Sequence, residues 1–176
     1  MSRLVQLRGA AALAVLTFAS VATACAPTPL PPSPCTATPT PYINLAGCDL
    51  HGKNFSGVDM HGVNLINANL SGATLVGTNL ASSNLANATL TGANLTGADL
   101  SSADLSGAHL ANATLSNAAM TFAGLVNADL TNAKLGGADL TNANLTGATL
   151  TGVTWASTIC PNAVVQSTEC PRTAAG

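Results

Sequence analysis

The fold class predicted from the sequence is all-β, with the chain wound as a solenoid, and three features of the residue pattern support it. Every position divisible by five from Leu45 to Leu150 is Leu, Phe or Met, and Trp155 continues the series. A small residue, alanine in most units, stands two positions before each of these centres. Of all residues 47% are hydrophobic but only 3% are aromatic, which fits a narrow core of small side chains.

The five-residue period excludes the regular elements. In an α-helix, five residues advance the chain by about 500°, so successive centres would be displaced by about 140° around the axis. In a continuous strand, an odd period would place successive centres on opposite faces. The chain therefore turns a corner within each unit, so that all centres point at a common axis. Gly, Asn and Ser, which tolerate tight turns, are frequent two positions after each centre.

Residues 1–24 are predicted to be an export signal peptide. Arg3 and Arg8 precede an uncharged apolar run that ends in the small residues 22–24. This run is shorter than the roughly 20 residues usual for a membrane-spanning helix. With Cys25, residues 22–25 resemble the lipobox of bacterial lipoproteins, in which the cysteine is acylated, although Ala22 stands where leucine is usual. An exported lipoprotein of the cell membrane or envelope is predicted, with a secreted protein as the alternative.

The number of cysteines favours lipidation of Cys25. The chain has five cysteines, and an exported protein with an odd number leaves one without a disulfide partner. Residues 25–42 are predicted to be the lipidated cysteine and a tether, since residues 26–41 hold seven of the nine prolines. Such a segment should be extended, at about 3.1 Å per residue, and should reach roughly 50 Å.

The repeat units resemble those of a known family. Residues 98–100 (Ala-Asp-Leu) and 103–105 (Ala-Asp-Leu) are similar to the A(D/N)Lxx units of pentapeptide-repeat proteins, and the resemblance covers residues 43–157. It implies a right-handed quadrilateral β-helix with four repeats per coil, so that the repeats form a little under six coils. At about 4.8 Å per coil the rod would be roughly 28 Å long. Residues 158–176 are then a disulfide-closed C-terminal cap or tail.

The rod restricts how the four remaining cysteines can pair. A bridge from Cys35 or Cys48 to Cys160 or Cys170 would have to cross most of the rod. Since the Cα atoms of a disulfide lie within about 7 Å, Cys35 is predicted to pair with Cys48 and Cys160 with Cys170. A metal or redox site would need clustered thiols and is not predicted.

No catalytic residue, metal site or cofactor is predicted. His109 stacks beside Asp129 in the next coil, but no third ligand joins them, and two solvated side chains are the simpler interpretation. Asp59, Asp99 and Asp139 lie on one face in alternate coils, roughly 10 Å apart, too far for paired acid–base carboxylates or a calcium site. A leucine-filled core should also leave no pocket.

Phe122 is the one candidate for a partner contact. It belongs to the most irregular unit and falls at an outward turn position, where Gly, Asn or Ser is usual. A local bulge that packs its own ring is the alternative, because single exposed apolar residues are common.

Three functions are weighed. The preferred prediction is a non-enzymatic, envelope-anchored lipoprotein whose rigid rod binds an envelope protein or acts as a spacer; a homodimer is left open. The resemblance also implies DNA mimicry at type II topoisomerases, but the net charge of −2 is weak, no basic cluster suggests nucleic-acid binding, and the export signal opposes it. Stacked hydroxyls such as those of Thr131 and Thr151 suggest a glycan- or ice-facing surface as a further alternative.

Overall fold

The computed structural model describes residues 34–162, 165–166 and 169–170. The predicted signal peptide, Cys25 and the tether as far as residue 33 lie outside the described residues. Within the described ranges, no helix is long and apolar enough to cross a membrane.

A ladder of parallel bridges winds the chain into a β-helix. Each bridge joins residues twenty apart, from Asn44–Asn64 to Asp139–Ile159, so four five-residue units complete one coil. The amide of each centre donates to the following coil, as Leu100 N does to the carbonyl of Ala119 at 2.7 Å. The amide before the centre donates to the preceding coil, as Asp99 N does to the carbonyl of Thr78 at 3.0 Å. Each interior unit therefore forms backbone hydrogen bonds with the coil before it and the coil after it.

Elements longer than one residue occur only near the two ends of the described chain. A short 3-10 helix, η1, spans Pro34–Thr36. Strand β1 spans Thr158–Ile159 and strand β2 spans Val165–Gln166. The two strands pair antiparallel, with Thr158 opposite Gln166 and Ile159 opposite Val165. Each side of the coil is too short for a conventional strand, because a corner follows every five residues.

The corners depend on two residues of each unit. The residue two positions after the centre has a left-handed backbone, with φ from 56° at Asn87 to 73° at Gly137. The residue before the centre, usually Asn or Asp, accepts a hydrogen bond from the amide two positions on. Asp129 does this twice, from the amide of Thr131 at 2.9 Å and from its hydroxyl at 2.6 Å. These side chains therefore shape the turn in addition to facing water.

The core is a stack of leucines bordered by alanines. Leu65 to Leu145 and the alanines two positions before their centres are buried almost completely. Where a hydroxyl residue replaces the alanine, it bonds a carbonyl of the preceding coil: Thr78 Oγ1 donates to the carbonyl of Phe55 at 2.7 Å. Throughout the described residues, no buried polar side-chain atom lacks a hydrogen-bond partner. The tight interior is thus compatible with its few polar groups.

The described part of the tether differs from the sequence prediction. Instead of running extended, Pro34–Thr36 forms η1, and Cys35 is bonded to Cys48 with a Cα–Cα distance of 5.3 Å. Cys35 also packs against the core cluster. The expectation of an extended segment is wrong here, because the disulfide holds residues 35–39 against the first coil.

The C-terminal end extends the ladder past the predicted boundary at residue 157. Leu140 N donates to the carbonyl of Ile159 at 2.8 Å, and Asn142 N to that of Pro161 at 2.9 Å. Cys160 occupies the next centre position, is fully buried, and is bonded to Cys170. Trp155 is only 6% exposed and lies in the last leucine-type position. The disulfide pairs of the structure are the two predicted from the length of the rod.

Candidate interaction surface

The interior coils present a mainly polar surface, on which Val76 and Phe122 are the exposed large apolar residues. We call residues 64–139 the shaft, since each bridging residue there is paired with a coil on either side. Along one side, Asp59, Asn79, Asp99, Ala119 and Asp139 form a single ladder, in the alternating order predicted. The Asp99 and Asp139 carboxylates accept hydrogen bonds from the amides two residues on, both at 2.9 Å. These carboxylates serve the turns and form no acid–base pair.

His61 makes a contact that the sequence analysis missed. Its Nδ1 lies 2.9 Å from Asp59 Oδ1, and this hydrogen bond lowers the pKa of Asp59 below its ordinary value of 3.8. The edge of the Tyr42 ring meets the His61 ring, with centroids 4.8 Å apart. The pair is two residues apart in the chain, whereas the predicted contacts joined residues in neighbouring coils. Asp59 and His61 occupy the same positions of the unit as Asp129 and Thr131, which form the same type of contact.

His109 and Asp129 lie in neighbouring coils as predicted, and they are bridge partners. The Asp129 pKa is lowered mainly by the hydrogen bond from the Thr131 hydroxyl, then by the Thr131 amide, with attraction to His109 the weakest cause. In the described part of the chain, no cluster of three His, Cys, Asp or Glu side chains could hold a metal ion. Asp129 is therefore primarily a turn residue.

Phe122 interrupts the polar surface at one corner of the shaft. Its side chain is 65% exposed, and its φ of 60° is unusual for a bulky residue. Ala119 and Gly124 stand on either side of it, at positions held by Asp or Asn in both neighbouring coils. Val126 is half-buried on the next side of the coil. We call Ala119, Phe122, Gly124 and Val126 the Phe122 corner.

The Phe122 corner departs from the repeat in ways that reduce stability. Ala119 and Gly124 have no side-chain oxygen, so neither can accept the turn hydrogen bond that Asp99 accepts in the preceding coil. A bulky side chain in the left-handed region adds backbone strain. The ring does not pack into a bulge, as the alternative interpretation proposed, because most of its surface is open to solvent. This corner is an apolar patch framed by polar ladders.

A cleft of about 470 Å³ lies between residues 35–39 and the first coil. Its other lining residues are Asp49, Leu50, Lys53, Asn54, Phe55 and Val58. The prediction that the core leaves no pocket is thus wrong at this end. In the shaft each coil is covered by the next, but no described coil precedes residues 49–58, and the disulfide-held segment covers them only in part.

Known sequences identify the repeats. Residues 43–75, 64–101, 93–131 and 123–154 match the family described as Pentapeptide repeats (8 copies). Together these matches extend over more than half of the chain. No curated protein matches the chain significantly.

Solved structures of the same repeat type are similar to this chain. One is alr5209, a pentapeptide repeat protein from Nostoc PCC 7120, with 40% identity over 46% of this chain and 68% of that protein, and a TM-score of 0.44. HetL from Nostoc sp. strain PCC 7120 is 30% identical over 71% of this chain and 67% of its own, with a TM-score of 0.31. QnrB1, a plasmid-mediated fluoroquinolone resistance protein, is 20% identical over 69% of this chain and 74% of its own. Its TM-score of 0.52 supports the same fold, a right-handed β-helix solenoid. The family match, together with the twenty-residue coils, shows that the chain belongs to the pentapeptide-repeat family.

Proposed function

We propose that this chain is a non-enzymatic lipoprotein of the cell envelope whose β-helix acts as a rigid protein-interaction module, or as a spacer. Pentapeptide-repeat proteins are generally structural or interaction modules. The observation that carries the proposal is the Phe122 corner, whose ring is the most exposed large apolar side chain of the shaft, ahead of Val76.

The proposed address depends on the first 25 residues and on cysteine pairing. Residues 1–24 have the charged start, apolar run and small-residue end of an export signal. Four of the five cysteines are bonded to each other, in the pairs Cys35–Cys48 and Cys160–Cys170. Disulfides suit an oxidising compartment. Cys25 is the one cysteine outside these two pairs, and acylation would give it a role.

A hydrogen-bonded rod would hold a contact surface at a fixed place relative to its anchor. We take it to comprise a little under six coils, which at about 4.8 Å per coil is roughly 28 Å. Ladder bonds on both sides of each shaft unit oppose bending. Such stiffness suits a module that presents one side to a partner.

The Phe122 corner has the composition of a protein contact. Exposed aromatic residues are frequent among the few side chains that dominate binding energy at interfaces. The small residues Ala119 and Gly124 beside the ring would let a partner surface approach the backbone. The ring would bury most of its exposed area in the complex, and this would offset the strain that it introduces into the rod.

The address is tested by the mass of the mature N-terminus and the membrane fraction of native cells. We expect a diacylated or triacylated Cys25 and release of a Cys25→Ser variant into the soluble fraction. An unmodified N-terminus, or an intact Met1 in the cytosol, would overturn the lipoprotein assignment.

The partner contact is tested by photo-crosslinking in intact cells. A benzoylphenylalanine at position 122 should capture a defined envelope protein. The same residue at position 112 is the matched control, because it occupies the equivalent turn position two units away, on the opposite side of the coil. Equal capture from both positions, or none from position 122, would contradict the interaction role and leave the spacer role.

Crosslinking, cellular location and glycan retention together distinguish the alternatives. Capture of a topoisomerase together with a cytosolic location would favour DNA mimicry, against the small net charge of −2. Retention of the purified protein on cell-wall glycans without any protein partner would favour a glycan-facing surface. In that surface the Thr131 hydroxyl already donates to Asp129 at 2.6 Å, which limits its availability to a ligand.

A further inference from the structure

Lys53 breaks the strongest rule of the repeat. From Ile43 to Thr158, the position two before each centre holds apolar or small hydroxyl residues, and Lys53 is the only charged one. In the shaft this position is buried without exception. Lys53 instead is exposed and lines the N-terminal cleft. The repeat position that is buried in the shaft therefore carries a cation at the cleft in the first coil.

The floor of the cleft is apolar. Phe55 and Leu50 are centre residues of the first coil, and half-buried Val58 stands in the following unit. Phe55 is the only phenylalanine at any centre position of the repeat, where leucine is otherwise usual. Its side chain is 7% exposed because the cleft opens onto it.

At the rim of the cleft, two backbone amides have no backbone acceptor among the described residues. In the shaft, the amide before each centre donates to the preceding coil, as Asn69 N does to the carbonyl of Cys48. No backbone acceptor within the described ranges serves the corresponding amides of Asp49 and Asn54. The ion pair found among the described residues joins His61 to Asp59 and leaves Lys53 without a carboxylate partner there.

We propose that the N-terminal cleft binds a small monocarboxylate with an apolar chain, of the class of a medium-chain fatty acid. The carboxylate would pair with the Lys53 ammonium and with a rim amide, and the chain would lie on Leu50, Phe55 and Val58. Charge complementarity selects an anion, since Lys53 has no partner among the described residues, whereas the Asp49 carboxylate is already bonded. Asp49 Oδ1 accepts hydrogen bonds from His51 N at 3.2 Å and Asn69 Nδ2 at 3.0 Å.

The volume agrees with this class of ligand. At about 470 Å³ the cleft falls within the range of small-molecule sites, roughly 300–1,000 Å³. It combines an apolar floor with a few polar groups, as such sites do. A competing explanation is that an inward-pointing charge at the end of a solenoid prevents end-to-end association. Removing the Lys53 charge would weaken ligand binding under the first explanation and promote self-association under the second.

Calorimetric titration with decanoate tests the proposal on the mature, disulfide-bonded protein. We expect one site per chain, with much weaker binding of decyltrimethylammonium, which has the same chain but the opposite charge. Lys53→Ala should weaken decanoate binding at least about tenfold. Lys134→Ala is the matched control, because Lys134 is an exposed lysine of the shaft, and it should change the affinity less than about twofold.

Two further variants sharpen the assignment. Phe55→Leu restores the usual centre residue and should weaken binding about threefold by reducing the apolar floor. Asp49→Asn removes a like charge from the rim and should strengthen binding. Both Lys53→Ala and Phe55→Leu return the sequence to the regular repeat, so a loss of binding would not come from misfolding.

Three results would overturn the proposal: no decanoate binding to the unaltered protein, equal binding of the cationic analogue, or equal binding by Lys53→Ala. Self-association of Lys53→Ala in sedimentation, with its decanoate affinity unchanged, would assign the lysine to protection of the coil end instead. Amide chemical shifts that move at residues 49–58 on titration would place the ligand in the cleft.

Discussion

The shaft and the first coil are made from the same five-residue unit, but they obey its rules to different degrees. In the shaft, every position two before a centre is buried, whereas turn hydrogen bonds to an Asn or Asp oxygen occur in both regions. In the first coil the same positions hold Cys48, Lys53 and Val58. A coil covered on both sides accepts only small residues at this position, such as Ala98 or Thr78. The first coil, which no described coil precedes, uses the same positions for a disulfide, a cation and an apolar floor.

The largest expected difference between the two regions concerns the cost of a cavity. Leu110 and Leu50 lie on the same side of the rod, three coils apart. Leu110→Ala should lower the free energy of unfolding by about 4 kcal/mol, because coils on both sides prevent collapse of the cavity. Leu50→Ala should lower it by about 2 kcal/mol, since the cleft already borders that side chain. Urea denaturation followed by circular dichroism measures both, and equal costs would contradict the distinction between the regions.

The disulfide of the first coil should contribute the next largest effect. The Cys35→Ser, Cys48→Ala double variant should lose about 3 kcal/mol of stability, because the bridge closes a loop of thirteen residues. Position 48 lies two before a centre, where alanine is the usual residue. The Cys48→Ala substitution therefore restores the regular repeat and creates no unusual cavity. Far-ultraviolet circular dichroism should show an intact shaft, while the melting temperature falls. A variant as stable as the parent would mean that residues 35–39 are held by other contacts.

Most of the fold could be predicted from the sequence, because one physical constraint repeats many times. Leucine at a fixed five-residue interval and alanine two positions earlier leave the chain no alternative to a coiled core. The pairing of Cys35 with Cys48 followed from the length of the rod. The turn role of Asp129 was missed, since an oxygen that accepts a hydrogen bond two residues on leaves no mark on the inward pattern.

The ends and the irregular unit were predicted less well, for a different reason. The conformation of residues 34–39 depends on where the disulfide places them, and their prolines alone suggested an extended chain. The cleft beside Phe55 lies where no described coil precedes the first one, and residue types do not encode this. The five-residue period alone places Phe122 at a turn, but the exposure of its ring is known only from the structure.

Phe122 offers a test of whether the irregular unit of the shaft sacrifices stability. Phe122→Asn places there the residue found at many equivalent corners, such as Asn142 in the next coil. Asparagine tolerates the left-handed backbone better than phenylalanine, so the variant should gain up to about 1 kcal/mol. Phe122→Ala, which also removes the ring but tolerates that backbone less well than asparagine, is the control and should gain less. Loss of stability in Phe122→Asn would show that the ring packs usefully on the rod.

The smallest expected effect is a loss of stability in acid to which one carboxylate of each region contributes. Asp59 of the first coil and Asp129 of the shaft both have a pKa below the ordinary 3.8, owing mainly to hydrogen bonds from His61 and Thr131. A carboxylate whose pKa is lower in the folded chain stabilises it above pH 4, and this contribution is lost as the pH falls through the folded pKa. Melting temperatures should therefore decline in acid, and Asp59→Asn and Asp129→Asn together should lessen the decline. His61→Gln should remove only what the His61 side chain contributes at Asp59, because the amide of residue 61, Asn79 and Thr131 are left in place. If the double variant declined as steeply as the parent below pH 4, these two carboxylates would have no part in the acid response.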